Sequence, residues 1–241
     1  MRAILFAAFI LLPSIALGAA PDNVSINIGG NESFTGNLIQ MVALISILSI
    51  APGILIMVTS FTRIVVVLSL LRSALGTQQT PPNMVLISLA MFLTMFVMQP
   101  TFNQAYDEAI KPLMEEQINE QEAYTKGIAP FKVFMVKHTR GKDLELFMSL
   151  SKEPKPEKAE DTPARVLIPA FMISELKRAF EIGFLLFIPF LIIDMLVASI
   201  LMAMGMMMLP PVVVSLPFKL VFFVLVDGWF LVAGSLIQSY G

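Results

Sequence analysis

Charge is confined to one stretch of this chain: of 34 charged side chains, 26 fall between Asp107 and Glu181, and the other 166 residues carry eight. A soluble domain carries about 25% charged residues. Here 14% are charged, 56% are hydrophobic, and the mean hydropathy is +0.80. Water is therefore not the main solvent of the two flanking parts, and an all-α fold of membrane-type helical hairpins around a small helical polar insert is expected. The balance of 16 basic and 18 acidic residues gives no reason to expect nucleic-acid binding. With no cysteine and one histidine, His138, neither a disulfide framework nor a metal centre is expected. No P-loop or other catalytic constellation occurs, so the sequence does not read as an enzyme and implies no cofactor.

The N-terminus has the layout of a secretory signal: Arg2, an apolar stretch from Ala3 to Leu12, then small residues around Ala16 and Gly18. Residues 1–18 are expected to be removed, with cleavage as late as residue 20 possible, and 19–37 to start outside the cytoplasm. A first hydrophobic hairpin follows over 38–106. Its first arm, Leu38 to Leu75, would measure roughly 57 Å as one helix, almost twice a ~30 Å hydrocarbon core. A break is expected at Pro52-Gly53. The second arm, Met84 to Met98, is expected to end at Gln99-Pro100, and the polar turn Gly76 to Asn83 lies between the arms. Arg63 and Arg72 on the turn side satisfy the positive-inside rule if that turn is cytoplasmic.

Residues 107–181 then form a polar, extracytoplasmic helical region. Tyr106, Ala109, Ile110, Leu113, Met114 and Ile118 recur at helical spacing, and Phe131, Phe134, Met135, Leu144, Leu146, Phe147 and Met148 are candidates for a small helical core. A charged, proline-bearing linker is expected over 152–163. His138, between Lys137 and Thr139-Arg140, is expected to be solvated. A second hairpin covers 182–241, with arms Ile182 to Met207 and Val212 to Leu236.

The turn of that second hairpin is the unusual feature. It reads Met202 to Pro211 with three consecutive methionines, Met206, Met207 and Met208, and no charge lies between Asp194 and Lys219. Gly205, Pro210 and Pro211 stop helix on either side, and non-helical backbone at membrane depth is tolerated where protein buries it or it lines a cavity. The methionines are thus either core filler or a deformable ring around a passage; a Cu(I)-thioether site lacks any assisting Cys or His. Asp194 and Asp227 each stand 16 residues from Pro210 and Pro211 respectively, at similar depth. Arg63 and Lys219 are the basic partners available to them, and a structural ion pair is favoured over a proton relay. Trp229 reads as an interfacial anchor.

Ser60-Phe61-Thr62-Arg63-Ile64-Val65-Val66-Val67, continuing through Arg72-Ser73-Ala74-Leu75-Gly76-Thr77-Gln78 to Pro81-Pro82-Asn83, resembles the first signature of the FliP family of type III secretion export-gate proteins. Phe190 to Met195, Met204 to Pro211 and Val226-Asp227-Gly228-Trp229 resemble its second, and Ser174-Glu175-Leu176-Lys177 also matches. The resemblance implies a subunit of an oligomeric ring, about five copies by family analogy, with FliQ and FliR, in the inner membrane at the flagellar basal body. FlhA and FlhB are implied neighbours, and unfolded flagellar proteins are the implied substrates. It further implies that Met206, Met207 and Met208 act as a gasket around the pore, and that Arg63, Glu175, Asp194, Lys219 and Asp227 are polar residues of assembly or gating. The chief alternative is a polytopic channel or transporter outside any secretion machine, although the two hairpins lack the internal symmetry expected of one.

Overall fold

The computed structural model describes residues 34–241 except 78, 152–155, 157 and 207. The expected signal sequence, five residues of the charged linker (152–155 and 157) and Met207 therefore lie outside the described residues. The chain divides into two compact units, Met1–Gly53 and Ile54–Gly241. Of the first, the described part is helix α1 (Phe34–Met57), which continues to its end in the second unit.

The second unit is built of helices throughout its described residues. They are α2 (Phe61–Leu75), α3 (Asn83–Ala105), a π-helical turn (Tyr106–Ile110), α4 (Lys111–Met114), α5 (Glu120–His138), α6 (Gly141–Ser151), a 3₁₀ turn (Ala159–Asp161), α7 (Ala164–Ala203), α8 (Pro211–Leu225) and α9 (Gly228–Gln238).

Prolines do not end helices here as expected. Helix α1 runs through Pro52-Gly53, and the chain breaks instead at Val58 to Ser60, where the Thr59 hydroxyl donates to Ile56 O at 3.1 Å and accepts from the Phe61 amide at 3.4 Å. Pro100 lies inside α3, and Pro169 and Pro189 lie inside α7. In an apolar medium an unpaired peptide group is so unfavourable that the helix persists around a proline. At Pro112 the accommodation takes another form: the preceding π turn bonds the Lys111 amide to Tyr106 O, five residues back. A widened turn makes room for a ring that would otherwise press on a carbonyl. The amphipathic helix expected from Tyr106 to Ile118 is thereby divided, and its successor begins only at Glu120, capped by Asn119 Oδ1 on the Glu122 amide at 2.8 Å.

Helix α7 is the spine. It starts at Ala164, well before the apolar segment that opens at Ile182, and so carries Ser174 and Glu175 from the polar part of the sequence into the packed interior. Its 40 residues span roughly 60 Å, and α3 with its extension to Met114 is 32 residues, roughly 48 Å. Both are long and apolar enough to cross a membrane, while α8 and α9 together make a further candidate bent by 64°. Helix α2 packs along α7 so closely that a Cβ on Gly183 would lie 2.3 Å from Leu70 Cδ1. Ile64, Val67, Leu68 and Leu71 of α2 form the main core with Leu86 and Ala90 of α3, Phe190 of α7, Phe223 of α8 and Leu236 of α9. A smaller core joins Met135 to Leu167 and Phe171, with Phe134 and Leu144 against it.

Candidate functional site

The site consists of a methionine-bearing turn at one end of α7 and three ionic clusters that tie the helices together.

The turn follows Ala203. Gly205 adopts φ +75, a region natural to glycine, and the Met206 amide bonds Leu201 O at 3.0 Å, closing α7 with a backward reach. Pro210 then precedes α8, whose first residue is Pro211. Met208 is 98% exposed and Met206 half-buried, while Met204 and Leu209 are also exposed. A turn that presents unbranched thioethers outward, with no charged side chain of its own, is an apolar and deformable surface.

Behind it, Asp194 on α7 and Lys219 on α8 form an ion pair, with Nζ 2.6 Å from Oδ2. Lys219 also donates to Ala74 O at 3.2 Å, which satisfies a carbonyl at the end of α2 beside the left-handed Gly76. Ser215 donates to Asp194 Oδ1 at 2.5 Å. Lys219 thus ties both arms of the second hairpin to the turn end of the first.

At the other end of α2, Arg63 is buried against Glu175 of α7, which is 0% exposed. Its Nε donates to Glu175 Oε2 at 3.0 Å and its Nη2 to Oε1. The remaining nitrogen, Nη1, donates to Ser239 O at 3.2 Å and Ser239 Oγ at 3.0 Å. Tyr240 lays its ring 3.9 Å from the guanidinium carbon and donates its hydroxyl to Glu175. Burial, with the Glu175 carboxylate beside it, pushes the Tyr240 phenol well above its ordinary range.

His138 completes this corner and is half-buried rather than freely solvated: its ring centroid lies 4.7 Å from that of Phe134 and 5.0 Å from that of Tyr240. Burial, then the charges of Arg63 and Lys137, push its pKa down to about 4.

A third cluster was not legible in advance. Arg140 forks onto Asp143 at 2.7 and 2.9 Å, and Ser174 donates to Asp143 Oδ2 at 2.6 Å while accepting the Arg140 amide at 3.1 Å. Burial raises the Asp143 pKa, but the hydrogen bonds from Ser174 and Arg140 outweigh it and hold the carboxyl below its usual range. Ser174 and Glu175, adjacent in α7, thus anchor α6 and α2 respectively.

The expected set is therefore divided. Arg63 belongs with Glu175, not with either aspartate, and Lys219 belongs with Asp194. Asp227 is exposed at the α8–α9 break with φ +51, apart from both basic candidates. Trp229 is exposed on one side and packs edge-on to Phe223 at 5.3 Å. Ser239 and Tyr240 were missed because nothing in their spacing marks them; a polar pair closing an apolar segment was the sole signal. Among the described residues, no group of three or more His, Cys, Asp or Glu is arranged to hold a metal.

The family model described as FliP family matches residues 44–236. The flagellar biosynthetic protein FliP of Caulobacter vibrioides is 60% identical over 230 residues, covering 95% of this chain and 86% of that one. The protein of the same description in Bacillus subtilis is 57% identical over 220 residues, 91% of this chain and 95% of the other. That of Aquifex aeolicus is 54% identical over 210 residues, 85% and 88% respectively.

Proposed function

Since this chain belongs to the FliP family, we propose that it is a membrane subunit of the flagellar type III export gate, assembling in several copies with FliQ and FliR around a path for unfolded flagellar proteins. FlhA and FlhB are its neighbours in the inner membrane at the basal body. The observation that carries the reading is the methionine turn, whose exposed side chains stand on a rigid base fixed by the Asp194–Lys219–Ser215 cluster.

A gate for unfolded chains must close on itself when idle and yield to side chains of any size when working. Fixed hydrogen-bonding groups would bind some substrates and hold water when empty, so an apolar lining of flexible side chains suits both states. Met206, Met207 and Met208 supply it, and Gly205, Pro210 and Pro211 keep the turn from winding into helix. The charged clusters serve to hold the turn in place and are assigned no part in moving protons.

Replacing Met206, Met207 and Met208 together by alanine removes volume from the proposed ring. Conductance of bilayers containing the assembled complex should rise in the closed state. A variant that assembles normally and stays as ion-tight as the parent refutes the gasket reading.

A further inference from the structure

The two hydrophobic hairpins contain five charged side chains, Arg63, Arg72, Asp194, Lys219 and Asp227. Three of them are accounted for within the chain by the two buried clusters. Arg72 and Asp227 are left, one of each sign.

Asp227 sits where α8 and α9 meet, and its carboxylate makes neither a cap bond to α9 nor an ion pair among the described residues. Around it Val224, Leu225, Phe230 and Leu231 are all exposed, Leu225 by 79%. The backbone does not call for a charge: the left-handed conformation at φ +51 would be met equally well by asparagine, which is uncharged. A carboxylate in the middle of an outward apolar face is unfavourable once that face is covered, unless the cover brings a cation.

Arg72 is the complement. Both of its hydrogen bonds use the same nitrogen: Nη1 donates to Pro81 O at 3.3 Å and to Asn83 Oδ1 at 2.5 Å. Those contacts hold the guanidinium against the turn and, among the described residues, leave the edge formed by Nε and Nη2 unbonded. That is the edge with which Arg63 grips Glu175 in the same structure. It is a two-toothed fork shaped for one carboxylate and held in position before the carboxylate arrives.

We propose that the free edge of Arg72 in one copy of this chain takes Asp227 of a second copy. The contact is head-to-tail, because each copy offers one donor and one acceptor at different places on its surface, so n pairs form when n copies close a ring. Charge complementarity selects the second copy as occupant: once the internal pairs are made, these are the two unmatched charges that the hairpins retain. The inference rests on the reading that the chain assembles in several copies, and it adds to that reading the residues that face each other.

The test uses full-length chains in cells producing the whole export apparatus. Since the chain has no cysteine, Arg72→Cys and Asp227→Cys can be placed in separately tagged copies and treated with a short bis-maleimide. A product carrying both tags is expected, and none when either of the two tagged copies lacks its cysteine. Separately, Asp227→Arg and Arg72→Asp alone should each lower the yield of assembled complex about tenfold, and the double exchange should recover most of it. If complex forms in normal yield but the cross-link is absent and the double exchange is no better than the single ones, the pairing is wrong and the assembly reading stands. If the parent chain forms no oligomer, both are wrong. Retention of an anionic phospholipid by the parent but not by Arg72→Gln, with assembly unchanged, would give the fork to a headgroup and overturn the pairing.

Discussion

Removing the Glu175 carboxylate should destabilise this fold more than any surface change, and the geometry sets the size. Glu175 is 0% exposed and accepts three hydrogen bonds, two from Arg63 and one from Tyr240. In Glu175→Ala three donors lose their acceptor, and two of them belong to the guanidinium of Arg63, which is 3% exposed. Orphaned buried groups cost about 1–3 kcal/mol each, and breaking a buried ion pair at one partner costs about 3–5 kcal/mol. The lower part of the summed range applies because Ser239 still accepts from Arg63 Nη1, so a loss of ~3–5 kcal/mol is expected. Arg63→Met should cost about as much, whereas the double variant Arg63→Met/Glu175→Leu should recover most of the loss, since an apolar pair of similar volume leaves no charge stranded. The exposed Glu122–Lys126 pair, 47% and 44% accessible, is the control: Glu122→Ala should cost at most about 1 kcal/mol. Reversible unfolding of the isolated chain in mixed micelles, followed by the fluorescence of its one tryptophan, Trp229, reads all four. Single variants that cost under about 1 kcal/mol, or a double variant whose loss equals the sum of the singles, would refute the account of this cluster.

Gly183→Ala sets a Cβ against Leu70 at 2.3 Å, so it should cost about 1–3 kcal/mol in the same assay, with Leu70→Ala restoring part of it. His138 has its pKa lowered to about 4, below its unfolded value near 6.5, so the unfolded chain binds the extra proton first; stability should fall as pH drops from about 6.5 toward 4, and His138→Phe should flatten that part of a melting-temperature profile. A profile as steep in the variant as in the parent would remove His138 from the acid response. Sequencing of the mature N-terminus should begin at Ala19, Ala20 or Pro21, and a start at Met1 would refute removal of the signal.

Much of the architecture was legible because the charge distribution separates lipid-like from water-like surroundings before any fold is known. Four apolar arms, the polar turn at Gly76 to Asn83 and the methionine turn all follow from that separation together with the placement of proline and glycine. Helix ends were less legible. Pro52 and Pro100 are breakers in water, yet each lies within a helix here, because a backbone with no water to turn to keeps whatever hydrogen bonds remain.

Ionic partners were legible only in part: Lys219 was available to Asp194 and pairs with it, but the partner of Arg63 could not be read. The nearness of Arg63 to Glu175 spans 112 residues and that of Tyr240 to Glu175 spans 65, and no local periodicity reports such distances. Sequence alone determined that the hairpins hold five charges, two of them basic in the first hairpin, and that each intramembrane charge needs a partner. Tertiary structure decided which found one. Helix α7 extends back to Ala164 and so brings a carboxylate from the polar region to Arg63, while Lys219 turns to Asp194; what remains, Arg72 and Asp227, was settled by that prior pairing and by the bend at Asp227 that points α8 and α9 apart.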